Sequence, residues 1–498
     1  MNLVESFLRD SGPATSTAVS QYLVENHKLT PSSARKRVSR AAGNVRRLAY
    51  LTFPRNSRFL YLESQFGSND YWNNLIAALQ STNSCYGHAI AALRQRNGFT
   101  IAQHFEIICG APKRLSKHLS PNTILARLEK SGLVQIKNIT GLGECVSLVQ
   151  TDDHYEMLAS ETKGRLAAEK LLLIALTEWL KKLGLVSFDK VSTRDSDERR
   201  DVGPFAWDLT APSYLSCFKN SGRSKSLKQG FVTLDVCLAD KISYSGIRPF
   251  VNKCQTLQSL KNIPTSLQIY VANNYEKDAF KLLKAHGIVP ATTKNLFGEE
   301  IAAALSQLAS VITDTFSHGV DPIKFDMLFS TLGKIEGAAI QLRGTLFEYL
   351  VADYVRKELT TAVKMNHVLT APSGKKAEAD IVAIKDDKSV TFIECKGYNP
   401  KAELPDSEID KWLTNRIPTI FSATKTHPEW KNLKIHFELW CTGKLSSKSI
   451  GKITQAKQVI NPRRYTIGYR LSDELLDLFE QTNNNGLIEA FKKHFTVR

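Results

Sequence analysis

Two short alternating segments, Asp380-Ile-Val-Ala-Ile384 and Val390-Thr-Phe-Ile-Glu394, flank the polar stretch Lys385-Asp-Asp-Lys-Ser389. Period-two alternation on both sides of a polar turn predicts an antiparallel hairpin. A turn centred on Asp387 sets Ile384 against Val390, Val382 against Phe392 and Asp380 against Glu394. Directly opposed side chains stand about 4.5–5.5 Å apart at Cβ. Lys396, two residues past Glu394, points to the same face. Two carboxylates that close repel unless a cation lies between them. The stretch therefore demands a sheet with an acid pair and an ammonium gathered at one end of a hairpin.

Upstream, Leu342, Leu346, Phe347, Leu350, Val351 and Tyr354 form a helical apolar stripe with Glu348 at its edge. A carboxylate there reaches the rim of a sheet on which the helix packs. Hard carboxylate oxygens suit Mg²⁺, which keeps several waters, and the backbone carbonyl of Cys395 is a candidate further ligand. Lys396 has two candidate tasks: to position or deprotonate an attacking water, and to offset charge on a phosphorane-like transition state. Helical Glu348, Asp380 and Glu394-Cys395-Lys396 together resemble the PD-(D/E)xK, or restriction-endonuclease-like, nuclease superfamily, from Arg343 to about Gln481. The resemblance implies that Asp380 and Glu394 bind metal, that Lys396 is catalytic and that Glu348 completes the acidic cluster. It implies Mg²⁺ as cofactor, with Mn²⁺ as a substitute. Ala379 departs from the proline the family often has there. The alternative is an ordinary hairpin with exposed charges at its ends. Beyond it, residues 408–421 read as a helix whose Lys411, Trp412 and Arg416 can face a cleft or a nucleic-acid backbone. A strand over 434–440 and a basic helix over 446–459 follow.

Residues 1–62 read as three helices and a two-stranded ribbon. Thr30-Pro31 is an N-cap followed by proline at the first helical position, and Ala34, Val38, Ala41 and Val45 fall on one face. The ribbon is expected over 48–53 and 58–62. This order resembles a winged helix-turn-helix domain, which implies a third helix in the major groove and a wing on the backbone. The stretch holds ten Lys or Arg against three acids. Arg35, Lys36, Arg37 and Arg40 on the helix, and Arg46, Arg47, Arg55 and Arg58 around the ribbon, are the expected DNA contacts. A solvated face of a protein-interaction domain is the alternative. Leu119-Ser120-Pro121 echoes Leu29-Thr30-Pro31, and a helix and ribbon follow again, so a second winged-helix-like domain is expected.

Residues 165–183 predict a long helix. Strands are expected at 205–209, 231–238 and 267–271, a helix at 276–286 and a short strand near 288–289, with a Gly/Ser/Lys-rich loop at 219–230. Glu169, Asp208, Asp235 and Cys237 echo Glu348, Asp380, Glu394 and Lys396, which suggests a degenerate copy of the nuclease fold without independent cleavage. An unrelated α/β domain is the alternative. The expected organisation is α/β and multidomain: a winged helix-turn-helix at 1–66, a second at 67–155, an α/β domain at 156–325 and the nuclease-like domain at 326–498.

The chain carries a formal net charge of +17, which points to a polyanion and first to nucleic acid. Its eight cysteines are scattered singly, so neither a zinc ribbon nor a disulfide framework is supported. No apolar run is long enough to span a bilayer, and a cytoplasmic protein is expected. There is no G-x-x-x-x-G-K-[ST] phosphate loop. These features point to a Mg²⁺-dependent DNA endonuclease, with microbial restriction, phage defence or a mobile element as settings by analogy. A homodimer or a partner protein is expected where both strands are cut. The alternatives are a DNA-binding regulator with a vestigial nuclease domain and a nuclease acting on RNA or branched DNA.

Overall fold

The structure, a computed structural model, describes residues 3–82, 84–149, 154–196, 198–213, 230–260, 263, 266–318, 327–328, 330–335, 338–385, 388–482 and 485–496. Most of the loop expected at 219–230, and Asp386 and Asp387 of the hairpin turn, lie outside the described residues. The fold is mixed α/β. The chain divides into two compact units: Met1–Lys137, Glu144–Leu158 and Leu180–Leu296 form the first, and Asn138–Gly143, Ala159–Trp179 and Phe297–Arg498 the second.

The first unit opens with α1 (Leu3–Ser11), β1 (Ala14–Thr15), α2 (Ser16–His27), α3 (Pro31–Arg40), β2 (Val45–Arg47) and β3 (Phe59–Leu62). The strands form an antiparallel sheet in the order β1-β3-β2. Val4, Leu8, Val19, Leu23, Ala34 and Val38 bury the helices against it. Thr30 caps α3 as its sequence requires, its side chain accepting from Ser33 N, with Pro31 in the first turn. The ribbon differs from expectation. Its first strand is Val45–Arg47, with Val45 opposite Leu62 and Arg47 opposite Leu60. Leu48 N still donates to Phe59 O at 2.9 Å, but Tyr50 then takes φ 70. Leu51 and Phe53 turn into the core, so the alternation over 48–53 serves a packed loop.

A second group follows: α4 (Asn69–Ser81), α5 (Cys85–Arg94), β4 (Phe99–Ile101), α6 (Ala102–Ile108), α7 (Pro121–Lys130), β5 (Val134–Ile139) and β6 (Gly143–Leu148), with strand order β4-β6-β5. Ser120 repeats the role of Thr30: its side chain accepts from Thr123 N and Pro121 stands in the first turn.

After α8 (Tyr155–Lys182) come β7 (Ser192–Thr193), β8 (Leu209–Ser213), β9 (Gly230–Cys237), α9 (Tyr244–Ser259), β10 (Ser266–Ala272), α10 (Lys277–Ala285) and β11 (Val289–Thr292). The sheet order is β11-β10-β9-β8-β7, with β8 antiparallel to both its neighbours and β9, β10 and β11 parallel. The strand expected at 205–209 begins only at Leu209. A bridge between Val202 and Phe205 folds the preceding residues into a tight turn, and Phe205 and Trp207 are spent as core against Phe250.

The first unit ends within α11 (Thr293–Phe297); in the second, α12 (Glu299–His318) leads to α13 (Ala338–Tyr354), then β12 (Val363–Thr370), β13 (Lys376–Lys385) and β14 (Ser389–Lys396). Next come α14 (Asp406–Lys411), a π turn over Trp412–Arg416, α15 (Ile417–Thr426), β15 (Lys434–Cys441), α16 (Ser447–Val459), β16 (Thr466–Arg470), α17 (Ser472–Glu480) and α18 (Asn485–Phe495). The sheet runs β12-β13-β14-β15-β16. The hairpin has the register its alternation demands, Ile384 opposite Val390 and Val382 opposite Phe392. Among the described residues no helix is long and apolar enough to cross a membrane.

Candidate metal and nuclease site

The β13–β14 ladder ends at Ile381 and Ile393. Past that point a side chain replaces the backbone partner, and Asp380 Oδ2 accepts from Cys395 N at 2.7 Å. This anchors Asp380 beside Glu394, whose carboxylate is nearly enclosed. Lys396 Nζ lies 3.1 Å from Glu394 Oε1 and 3.0 Å from Glu408 Oε2 on α14. Arg416 donates to the same Glu394 oxygen. Its position follows from the sequence: Pro418 brings no N–H to the helix, the turn before it opens into π geometry, and Arg416 ends that turn. Such bulges recur at functional sites.

Glu348 enters from α13, whose buried residues Leu346, Phe347, Leu350, Val351 and Tyr354 are the expected stripe. Gly397 allows the close approach. A Cβ there would meet Gly344 Cα at 3.1 Å and would also press on Arg343 O and Phe347. Burial pushes the Glu348 carboxyl well above its ordinary value, Asp380 and Glu378 push it further, and Lys170 and a hydrogen bond from Asn366 oppose them. Asp380 is raised by burial too, against the Cys395 amide and the charges of Lys396 and Arg416. Such crowding of carboxylates favours a cation at their centre.

Asp380 Oδ1 and Glu394 Oε2 accept no hydrogen bond among the described residues. Two hard oxygens left without a donor fit Mg²⁺, which binds through one or two carboxylates plus substrate phosphate and water rather than in a closed protein cage. Among the described residues no group of three or more His, Cys, Asp and Glu side chains is gathered closely enough to hold a metal ion. The Cys395 thiol is buried and pushed well above its ordinary value by that burial, which leaves only its backbone as a donor.

Glu378, Glu408, Lys170 and Asn366 join the site beyond the residues singled out from sequence. Glu378 was legible, two residues before Asp380 on the same face of the strand. Lys170 was not, because its helix is remote in sequence. Of the residues expected on the following helix, Arg416 reaches the acids, Lys411 pairs with Glu408 at 3.1 Å in solvent, and Trp412 belongs to the core.

The basic residues of the first unit divide into two groups. Lys36, Arg37 and Arg40 are exposed and line a groove of about 540 Å³ with Leu29, Ser33 and Ala41. Arg55 and Arg58 are exposed at the loop, and Arg35 is exposed while bonding Pro31 O at 3.2 Å. Arg46 is spent on Glu63 at 2.8 Å, and Arg47 on three carbonyls at the end of α3, Val38, Ser39 and Ala41. Comparison with protein-family models, with curated proteins and with solved structures finds no match to this chain.

Proposed function

We propose that the chain is a Mg²⁺-dependent DNA endonuclease of the PD-(D/E)xK kind, docked on duplex DNA by winged-helix domains near its N-terminus. The observation that carries this reading is a pair of open carboxylate oxygens, on Asp380 and Glu394, beside the Lys396 ammonium at 3.1 Å from Glu394. Asp380 and Glu394 would hold the ion, with Glu348 behind them. When bound, Mg²⁺ neutralises phosphate charge and activates water for attack.

The protein's own groups do the rest. The Cys395 amide fixes the Asp380 carboxylate, and Arg416 orients Glu394. Lys396 places positive charge where negative charge grows on the phosphorus, or moves a proton at the attacking water. The free cations on α3 would grip phosphates, and the element order of residues 3–62 supports placing α3 in the major groove.

The test is supercoiled plasmid incubated with wild type and Lys396→Ala, each with Mg²⁺ or EDTA. Mg²⁺-dependent nicking or linearisation that drops at least about 100-fold in the variant is the expected result. A wild type that binds plasmid yet never cuts it with Mg²⁺ refutes the reading in favour of a binding protein.

A further inference from the structure

The sheet β7–β11 repeats the sheet β12–β16 strand for strand. Both have the same linear order, the second strand antiparallel to its two neighbours and the last three parallel. Helices occupy matching places in the chain, α9 where α14 and α15 stand and α10 where α16 stands. The match reaches single hydrogen bonds. Asp208 Oδ2 accepts from Val236 N at 2.7 Å, as Asp380 Oδ2 accepts from Cys395 N at 2.7 Å. Asp235 precedes Val236 as Glu394 precedes Cys395. The following helix sends a cation to that second acid in each case, Lys253 to Asp235 and Arg416 to Glu394.

The two centres differ in what is left open. Around β8 and β9 all four carboxylate oxygens are taken by the protein's own donors. Asp208 Oδ1 accepts from Arg194 at 3.1 Å and Oδ2 from Val236 N; Asp235 Oδ1 accepts from Asp208 N at 3.1 Å and Oδ2 from Lys253 at 2.6 Å. Lys253 is 1% exposed, lies 3.8 Å from the Trp207 ring centroid and bonds Ile107 O at 3.4 Å. Each of the four oxygens is thus already engaged by a donor among the described residues, and the ammonium is buried away from solvent. Cys237 stands where Lys396 stands in the other copy.

We infer that this sheet is a second copy of the candidate nuclease fold whose acid centre is closed by two built-in cations, Lys253 and Arg194. The chain then carries one divalent-metal centre. On the reading proposed above, on which this last step rests, it cuts one strand per bound chain.

The experiment counts Mn²⁺ sites on the full chain by titration calorimetry and electron paramagnetic resonance. Wild type, Asp380→Asn/Glu394→Gln, and that double variant with Lys253→Met are compared. The double variant is expected to lose the wild-type site, and Lys253→Met to gain one, because the buried Asp235 carboxylate loses the ammonium that occupies its Oδ2. A Mn²⁺ site that persists in the double variant and disappears on Asp235→Asn overturns the inference. So does a folded Lys253→Met chain that gains no site. If Lys253→Met does not fold, the double variant decides alone. Failure of the nuclease reading shows separately, as absence of plasmid cutting by wild type. If both hold, nicked circles accumulate before linear product when plasmid exceeds enzyme; linear product without a nicked intermediate at that ratio overturns the one-strand step.

Discussion

Glu408 holds its Oε2 3.0 Å from the Lys396 ammonium, so that Lys396 is shared between two carboxylates rather than bound to Glu394 alone. Burial acting by itself would raise the Glu408 carboxyl, but Lys396 and then Lys411 reverse this and hold it below its ordinary value. On the nuclease reading proposed above, Glu408 acts as a positioning residue. Glu408→Gln keeps its shape and removes its charge, letting Lys396 collapse onto Glu394. Single-turnover cleavage should fall about tenfold while plasmid affinity stays unchanged. Lys411→Ala, which breaks an exposed pair, should leave the rate nearly unaltered.

The two groups of N-terminal cations predict two different phenotypes. Replacing Lys36, Arg37 and Arg40 together by Ala removes exposed charges that pair with no acid among the described residues. Duplex affinity should drop, and the slope of log affinity against log salt should become shallower by about 0.9 per lost phosphate contact. Stability should stay within about 0.5 kcal/mol of wild type. Arg47→Ala should do the reverse, because it uncaps three carbonyls at the end of α3. A loss of about 1–2 kcal/mol in denaturant unfolding, with a smaller change in DNA binding, is expected.

The capping residues invite a matched pair of substitutions. Thr30→Ala and Ser120→Ala each remove a side-chain acceptor from the first turn of a helix. Each should cost about 1 kcal/mol in equilibrium unfolding. A cost confined to one of them would mean that the shared cap does different structural work in the two places.

Local rules carried much of the candidate site. Period-two alternation fixed the 381–393 register, and the helical stripe around Glu348 followed from its 100° spacing. The limits came where tertiary packing overrides pattern. Leu51 and Phe53 alternate like a strand but are consumed by a core loop, and Phe205 and Trp207 do the same before β8. Lys170, Asn366 and Glu408 converge on the acids from separate elements, which no window of sequence brings together. The closed centre shows the same limit: the Asp208 and Asp235 echo was visible in the sequence, yet Lys253 on the following helix, which neutralises it, was not.

His88 sets an acid limit on the first unit. It is 6% exposed on α5, and burial, then the charge of Arg248, holds its imidazole down to about 4 against an ordinary 6.5. The unfolded chain takes up a proton near pH 6.5 and the folded one only near 4, so the neutral form favours the fold. This contribution is complete above the ordinary value and is lost as pH falls through that window, to a limit of about 3 kcal/mol. Urea midpoints measured from pH 7 to 4.5 should decline, and His88→Gln should flatten that decline.

Packing of α4 on α5 turns on Gly87. A Cβ there would collide with the carbonyl oxygen and carbon of Leu79, which are backbone and cannot move aside as a flexible side chain would. The contact lies beside Leu75, Leu79, Tyr86 and Ile90, in one buried cluster. Gly87→Ala would ordinarily favour a helix by roughly 1 kcal/mol. Here overpacking opposes that gain with about 1–3 kcal/mol, and two helices must separate to admit one methyl group. Net destabilisation is therefore expected, seen as a lower melting temperature together with faster hydrogen exchange along both helices. A variant as stable as wild type would show that α4 and α5 can slide apart, and that the close approach at Gly87 contributes little to holding the group together.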